Sequence, residues 1–264
     1  MIPFLKAHAC GNDFLYVDER DAGRRDRARL ALALCDRHAG AGADGLILYR
    51  RTAGGAAMRL LNADGSRAEV SGNGVRGLAA VLTDVLEFAP PGGRVRIDTD
   101  AGEKVLSLVE REGRRPVFRA EMEPPTDLRR QTLEVGGQAL EVVTLGVGNP
   151  QCVRLEPRVD EARLHRVGAA LARHPAFPEG TNVELASVEA PDLVRILIWE
   201  RGVGPTLSSG TGSCAAAVAA AAFGGASRDV RVVAPGGAQR VEWREDGLYL
   251  TGWAEVLFRG EWID

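Results

Sequence analysis

Short apolar runs, some alternating and some continuous, are separated along the chain by turn residues, and the period of each run predicts its element. Phe4 to Lys6 and Phe14 to Val17 read as strands on either side of a polar turn at Gly11, Asn12 and Asp13. From Asp26 a helical spacing (Leu30, Leu34, with alanines between) reaches Cys35 and Asp36. The glycine-rich AGAGADG then leads into a strand at Leu46 to Tyr49, and Met58 to Asn62 is a further strand that ends on the turn Ala63-Asp64-Gly65. A helix follows Gly74 and is expected to stop before Pro90 and Pro91, because proline cannot continue a helix. The segments VRIDT, VLSLVE and VFRAEME complete the first half as strands.

The composition changes at PPTDLRRQT, and a domain boundary is expected between Gly113 and Thr126. Beyond it come strands in EVGGQALEVVTLGV, the segment GNPQCVRL, a helix from Val159 to His174, strands in PEGTNVELASV and LVRILIWERGVG, and closing strands in VRVVAP, RVEWRE and LYLTGWAEVLFRGEW. The two halves share an order: an Asn-containing turn, a helix, strands, a Ser-Gly-x-Gly start to a second helix, and more strands. That is a duplication of domain size rather than a solenoid period. The expected lobes are 1–116 with 250–264, and 117–249.

The repeated helix starts carry the candidate chemistry. SGNG (Ser71 to Gly74) and SGTG (Ser209 to Gly212) each precede a helix-forming run. Gly-x-Gly lets backbone N–H groups turn toward a ligand where a helix begins, and the helix N-terminus adds uncommitted donors and partial positive charge. Such a place holds an anion. For either motif alone an ordinary serine N-cap is the plainer reading. Two of them predict a site built twice and closed on one small substrate in a cleft between similar lobes.

Composition narrows the classes. With 264 residues, 45% hydrophobic and 26% charged, the chain has enough apolar content for a substantial core. A formal net charge of -3 gives no support for nucleic-acid or anionic-membrane binding. MIPFLKAHAC has no basic segment followed by an apolar run, and the most apolar run, Cys214 to Phe223, is about half of a bilayer span, so neither a signal peptide nor a membrane segment is expected and the expected location is the cytoplasm. The cysteines, Cys10, Cys35, Cys152 and Cys214, lack metal-ligand spacing and read as packed thiols. No metal or cofactor is expected.

GNDF, DRHAGAGADGL, NADGSRAEVSGNGVR, GNPQCV, EGTNVE, ERGVGPTLSSGTGSCAA and LTGWAEVLFRGE occur in that order over nearly the whole length, and together they resemble diaminopimelate epimerase. The resemblance implies an α/β (α+β) fold of two pseudo-symmetric lobes, each a mainly antiparallel sheet wrapped around a central helix. It also implies a cofactor-independent isomerase that interconverts LL- and meso-diaminopimelate by two-base α-proton transfer in lysine biosynthesis, commonly as a homodimer. The positions matching the family's substrate contacts are Asn12, Asn62, Asn149, Asn182, Glu200 and Arg201, with Gly72, Asn73, Gly74, Gly210, Thr211 and Gly212 at the helix starts. Asparagine suits this task because it offers a donor and an acceptor without a titrating charge, and arginine offers a fork for a remote carboxylate.

The departures concentrate on proton transfer. Ser71 and Ser209 stand where the family has its two catalytic cysteines, Gln151 where it has histidine, and Pro205 where glutamate is usual. A thiol is readily brought to thiolate near neutral pH, whereas a hydroxyl needs a neighbouring base. Several accounts stand at this point. The serines, with Glu200 as activating neighbour, form a working catalytic set; or they trap a substrate complex; or the chain is a diverged amino-acid isomerase or dehydratase; or it is an amino-acid-binding protein with impaired catalysis.

Overall fold

The structure, a computed structural model, describes residues 1–263. The chain divides into two compact units, one formed by residues 1–120 with 252 onward, the other by residues 121–251.

Unit 1 opens with strands β1 (Ile2–Ala9) and β2 (Asn12–Asp18), a short helix α1 (Glu19–Ala22), helix α2 (Arg27–Cys35), and strands β3 (Gly45–Thr52), β4 (Gly55–Asn62) and β5 (Arg67–Ala68). Helix α3 (Gly72–Ala80), strands β6 (Arg94–Thr99), β7 (Gly102–Glu112) and β8 (Arg115–Met122) follow. Asp26 caps α2 by accepting from the N–H groups of Ala28 and Arg29, as its place before the helical spacing predicts. Helix α3 ends well short of Pro90 and passes into a π-helical turn at Val81–Val85.

Unit 2 contains β9 (Thr126–Val135), β10 (Gln138–Gly146), β11 (Pro150–Leu155), α4 (Glu161–Ala172), β12 (Asn182–Ala190), β13 (Leu193–Glu200) and β14 (Gly204–Thr206). It continues with α5 (Gly210–Phe223), β15 (Asp229–Ala234), β16 (Gly237–Trp243) and β17 (Leu248–Trp253). The final strand, β18 (Glu255–Trp262), returns to unit 1, where it pairs antiparallel with β1. The polar stretch at 124–132, which reads as a break in composition, is largely strand: β9 pairs with β10 through a Gly136-Gly137 turn in which both glycines have positive φ.

The duplication is visible in the strand pairings. In unit 1, β2 runs parallel to β3, β3 antiparallel to β4, β4 antiparallel to β5 and parallel to β6, and β6 antiparallel to β7. In unit 2 the same series recurs as β11–β12, β12–β13, β13–β14, β13–β15 and β15–β16, with the same directions. The pairings of each unit are thus mainly antiparallel with two parallel pairs.

The central strands of each unit bury both faces. Side chains alternate across a strand, and β12 places Val183 and Leu185 against α4 while Ala186 meets α5. Likewise β3 places Leu46 and Leu48 against α2, and Ile47 and Tyr49 against α3. Helix α5 is alanine-rich and buried on every side from Gly212 to Ala220, so it is a core helix around which β10 to β13, β15 and β16 close. Alanine gives high helix propensity and also lets strands approach closely.

Candidate active site

In unit 1 the Asn12 turn is held by charge. Asn12 Nδ2 donates to Asp44 Oδ2 at 2.9 Å, and Arg37 Nη2 bridges Asp13 Oδ1 and Asp44 Oδ1 at 2.7 Å each. Lys6 Nζ lies 2.9 Å from Asp13 Oδ2. Burial opposes ionisation of Asp13, but the hydrogen bonds from Arg37 and Lys6 outweigh it and hold the carboxyl below its ordinary range. Asp44 also joins this turn to the next one: its N–H donates to Asp13 O at 2.9 Å and its carbonyl accepts from Ala63 N at 3.1 Å. Asn62, adjacent to Ala63, is exposed and donates from Nδ2 to Ser66 Oγ at 3.0 Å. The structure therefore brings Asn12 and Asn62 to neighbouring turns with Asp44 between them.

Ser71 is the N-cap of α3, extended at φ -131° and ψ 122°, and its Oγ accepts from Gly74 N at 3.1 Å. The N–H of Gly72 lies in the first turn of the helix, where the helix itself offers no acceptor. Gly72 is exposed with open space where a Cβ would stand, whereas the side chain of Asn73 is buried. The floor under this cap is apolar: a Cβ on Gly74 would lie 2.8 Å from Ile47 Cδ1 and 3.6 Å from Phe14 Cε2. Tyr16 Oη donates to Gly74 O at 3.0 Å, and a Cβ on Gly77 would lie 2.1 Å from that hydroxyl, so glycine is needed for α3 to sit against Tyr16.

In unit 2 Ser209 repeats the cap on α5, with φ -141°, ψ 128° and Oγ accepting from Gly212 N at 3.1 Å. Gly210 and Thr211 supply the corresponding uncommitted N–H groups; Thr211 Oγ1 lies 3.5 Å from Ser209 Oγ. Asn149 Oδ1 accepts from Gln151 Nε2 at 2.5 Å, and Gln151 stands opposite Asn182 in the parallel β11–β12 pair. Asn182 Oδ1 accepts from Arg201 N at 2.9 Å, and Arg201 Nη1 donates to Glu179 O at 2.9 Å. Glu200 ends β13 opposite Gly204, one residue from Pro205, so the predicted residues Asn149, Asn182, Glu200 and Arg201 form one group at the strand ends. A hollow of about 500 Å³ in this unit is lined by Asn149 and Gln151 together with Thr126, Arg129 and Phe177. A second hollow, about 550 Å³ in unit 1 and lined by Asp18, Tyr49 and Arg259 among others, contains none of the predicted residues.

All four cysteines are buried. Burial pushes the Cys35 thiol up to about 12 and raises that of Cys152 further, so these two are held as neutral thiols. Among the described residues no group of three or more His, Cys, Asp or Glu side chains is placed to hold a metal ion, and no helix is long and apolar enough to cross a membrane.

The sequence reading passed over Glu184 within EGTNVE. This side chain has no solvent exposure, and neither of its carboxyl oxygens has a hydrogen-bond partner. Its Oε1 lies 2.6 Å from where a Cβ on Gly212 would be. Burial, with the charge of Glu200 adding to it, pushes this carboxyl up to about 8. The signal for it was present in β12, where Asn182, Glu184 and Ala186 alternate with Val183 and Leu185, the latter pair already committed to the α4 side.

A fold built twice, with a serine-capped helix start and an asparagine turn in each copy, defines a protein of the two-unit epimerase class. The same fold is found in a phenazine biosynthesis protein of the PhzF family from Bacillus anthracis, with a TM-score of 0.75 at 13% identity, covering 100% of this chain and 99% of that one. The family model for diaminopimelate epimerase matches residues 4–126 and 143–257. The diaminopimelate epimerase of Synechococcus elongatus is 39% identical over 274 aligned residues, covering 98% of this chain and 97% of its own. That of Pelotomaculum thermopropionicum is 37% identical, covering 98% of each. The chain belongs to the diaminopimelate epimerase family.

Proposed function

We propose that this chain interconverts LL- and meso-diaminopimelate by moving the proton on an α-carbon, without a cofactor, in lysine biosynthesis. The observation that carries this reading is identity of 39% to a diaminopimelate epimerase over nearly the full chain, with both serine-capped helix starts formed. Removing an α-proton places negative charge on the substrate carboxylate, and helix N–H donors aimed at that charge stabilise it. The donors of Gly72 and Asn73, and of Gly210 and Thr211, are assigned to this task. Ser71 and Ser209 occupy the two proton-transfer positions, Glu200 bears on their chemistry, and Asn12, Asn62, Asn149, Asn182 and Arg201 hold the substrate's amino and carboxyl groups. We also assign the protein to the cytoplasm and to a homodimer, which light scattering tests as a mass of twice 28.2 kDa.

The deciding experiment is incubation with LL-diaminopimelate in heavy water, followed by mass spectrometry and chiral separation. Formation of the meso product with deuterium at the α-carbon is expected. The double variant Ser71→Cys with Ser209→Cys is expected to exchange faster, because a thiolate is accessible near neutral pH. An unaltered protein that gives no α-proton exchange and no meso product overturns the reading.

A further inference from the structure

The two helix caps differ in what lies beneath them. Tyr16 stands opposite Ile47 in the β2–β3 pair, and Ile47 opposite Leu60 in β3–β4. At the same register in unit 2, Val153 stands opposite Glu184, and Glu184 opposite Ile198. Ile47 and Glu184 are therefore equivalent positions of the duplicated fold. The helix glycines above them agree: a Cβ on Gly74 would meet Ile47 Cδ1 at 2.8 Å, and a Cβ on Gly212 would meet Glu184 Oε1 at 2.6 Å and Ser209 Oγ at 3.1 Å.

Unit 1 shows that this floor position is satisfied by an apolar side chain. A wholly buried carboxyl with both oxygens unpartnered is costly, and packing gives no reason for it. It faces the start of α5, where the glycine leaves room beside the serine hydroxyl. Ser209 Oγ uses a lone pair on Gly212 N, which leaves its own proton available to an acceptor.

We propose that Glu184, acting through Ser209, accepts and returns the proton at the unit 2 cap. The proposal rests on the epimerase reading above and supplies the base that a serine in a thiol's place requires. As the α C–H bond breaks, its proton passes to Ser209 Oγ. The Ser209 hydroxyl makes no hydrogen bond to Glu184 in the structure; once it turns toward Glu184 across the space left by Gly212, its proton passes to a carboxylate oxygen of Glu184. The electron pair of the C–H bond stays on the substrate, spread over the α-carbon and its carboxylate. The return step runs the same transfers backwards from the protonated Glu184. In this role Glu184 is a positioning residue, since Ser209 is the group that meets the substrate.

The titratable groups around Glu184 are few. Glu200 on β13 raises it, Cys152 on β11 belongs to the opposite face of the sheet, and α5 carries no charged side chain. Proton abstraction needs the carboxylate, so α-proton exchange is expected to climb with pH and level off above about 8.

The test measures deuterium entry at the α-carbon of diaminopimelate across pH for the unaltered protein, Glu184→Gln and Glu184→Ile, with thermal melts of each. Glu184→Gln is expected to lower exchange at least about a hundredfold and to remove the rise toward pH 8. Glu184→Ile, which installs the residue of the twin position, is expected to fold, to melt no lower than the unaltered protein, and to lose exchange equally. Variants that exchange as fast as the unaltered protein with the same pH profile overturn the proposal and leave the epimerase reading standing. A Glu184→Ile protein that fails to fold also overturns it, by showing the carboxyl to be structural. An unaltered protein that exchanges no α-proton removes the epimerase reading itself, and this proposal with it.

Discussion

The same turn, Ser-Gly-x-Gly, opens a helix in each unit, with the serine oxygen 3.1 Å from the same N–H in both. Beneath it the units diverge: Ile47 and Phe14 in unit 1, and Glu184 in unit 2 with Gln151 and Asn182 further along the same face. The cap is thus a property of the fold, set by backbone geometry and a short polar side chain, while the floor is free to vary. Because one copy shows what the fold alone requires, a departure in the other copy can be read as chemistry. A single-copy protein offers no such internal control.

The strongest way to break this comparison is to give unit 1 the floor of unit 2. Ile47→Glu would bury an unpartnered carboxyl within the core around α3, and a loss of roughly 3 to 5 kcal/mol is expected in urea unfolding. A loss below about 1 kcal/mol would show that the unit 1 floor tolerates charge, and the argument from equivalence would fail.

A sharper test uses pH. The folded protein holds Glu184 near 8 against an ordinary 4.5, so between those values the native state binds more protons than the unfolded chain. Stability from this group is complete below about 4.5, declines as pH rises through the window, and is lost above about 8. The decline is on the order of a few kcal/mol, and Glu184→Ile is expected to lack it. Melting temperatures taken from pH 5 to about 9 on both proteins check this, and parallel curves would count against it.

The smallest effect concerns the cap itself. Ser71→Ala removes the acceptor for Gly74 N and is expected to cost about 1 kcal/mol in unfolding free energy. No measurable change would mean that water satisfies this N–H as well as the serine does.

The helices and most strands were legible because they follow local rules. Asp26 before an i, i+4 leucine pair marks the start of α2, and serine followed by Gly-x-Gly marks α3 and α5. Strand β9 was hidden because most of its residues are exposed on both faces, so no apolar period betrays it; pairing with β10 makes it a strand. Glu184 was hidden for the opposite reason. A glutamate within a strand reads as a solvent-facing position, and only the packing of α5 over β12 encloses it. The asparagine turns were legible as turns, but the Asp13–Arg37–Asp44 network that fixes one of them joins residues up to thirty-one positions apart and has no local signature.

Strand β18 pairs with β1 from Ile2 opposite Trp262 to His8 opposite Glu255. During synthesis the strand that completes unit 1 therefore leaves the ribosome after all of unit 2, whose residues are contiguous from 121 to 251. Until then one edge of β1 has no neighbour, and unit 1, begun before unit 2, closes after it.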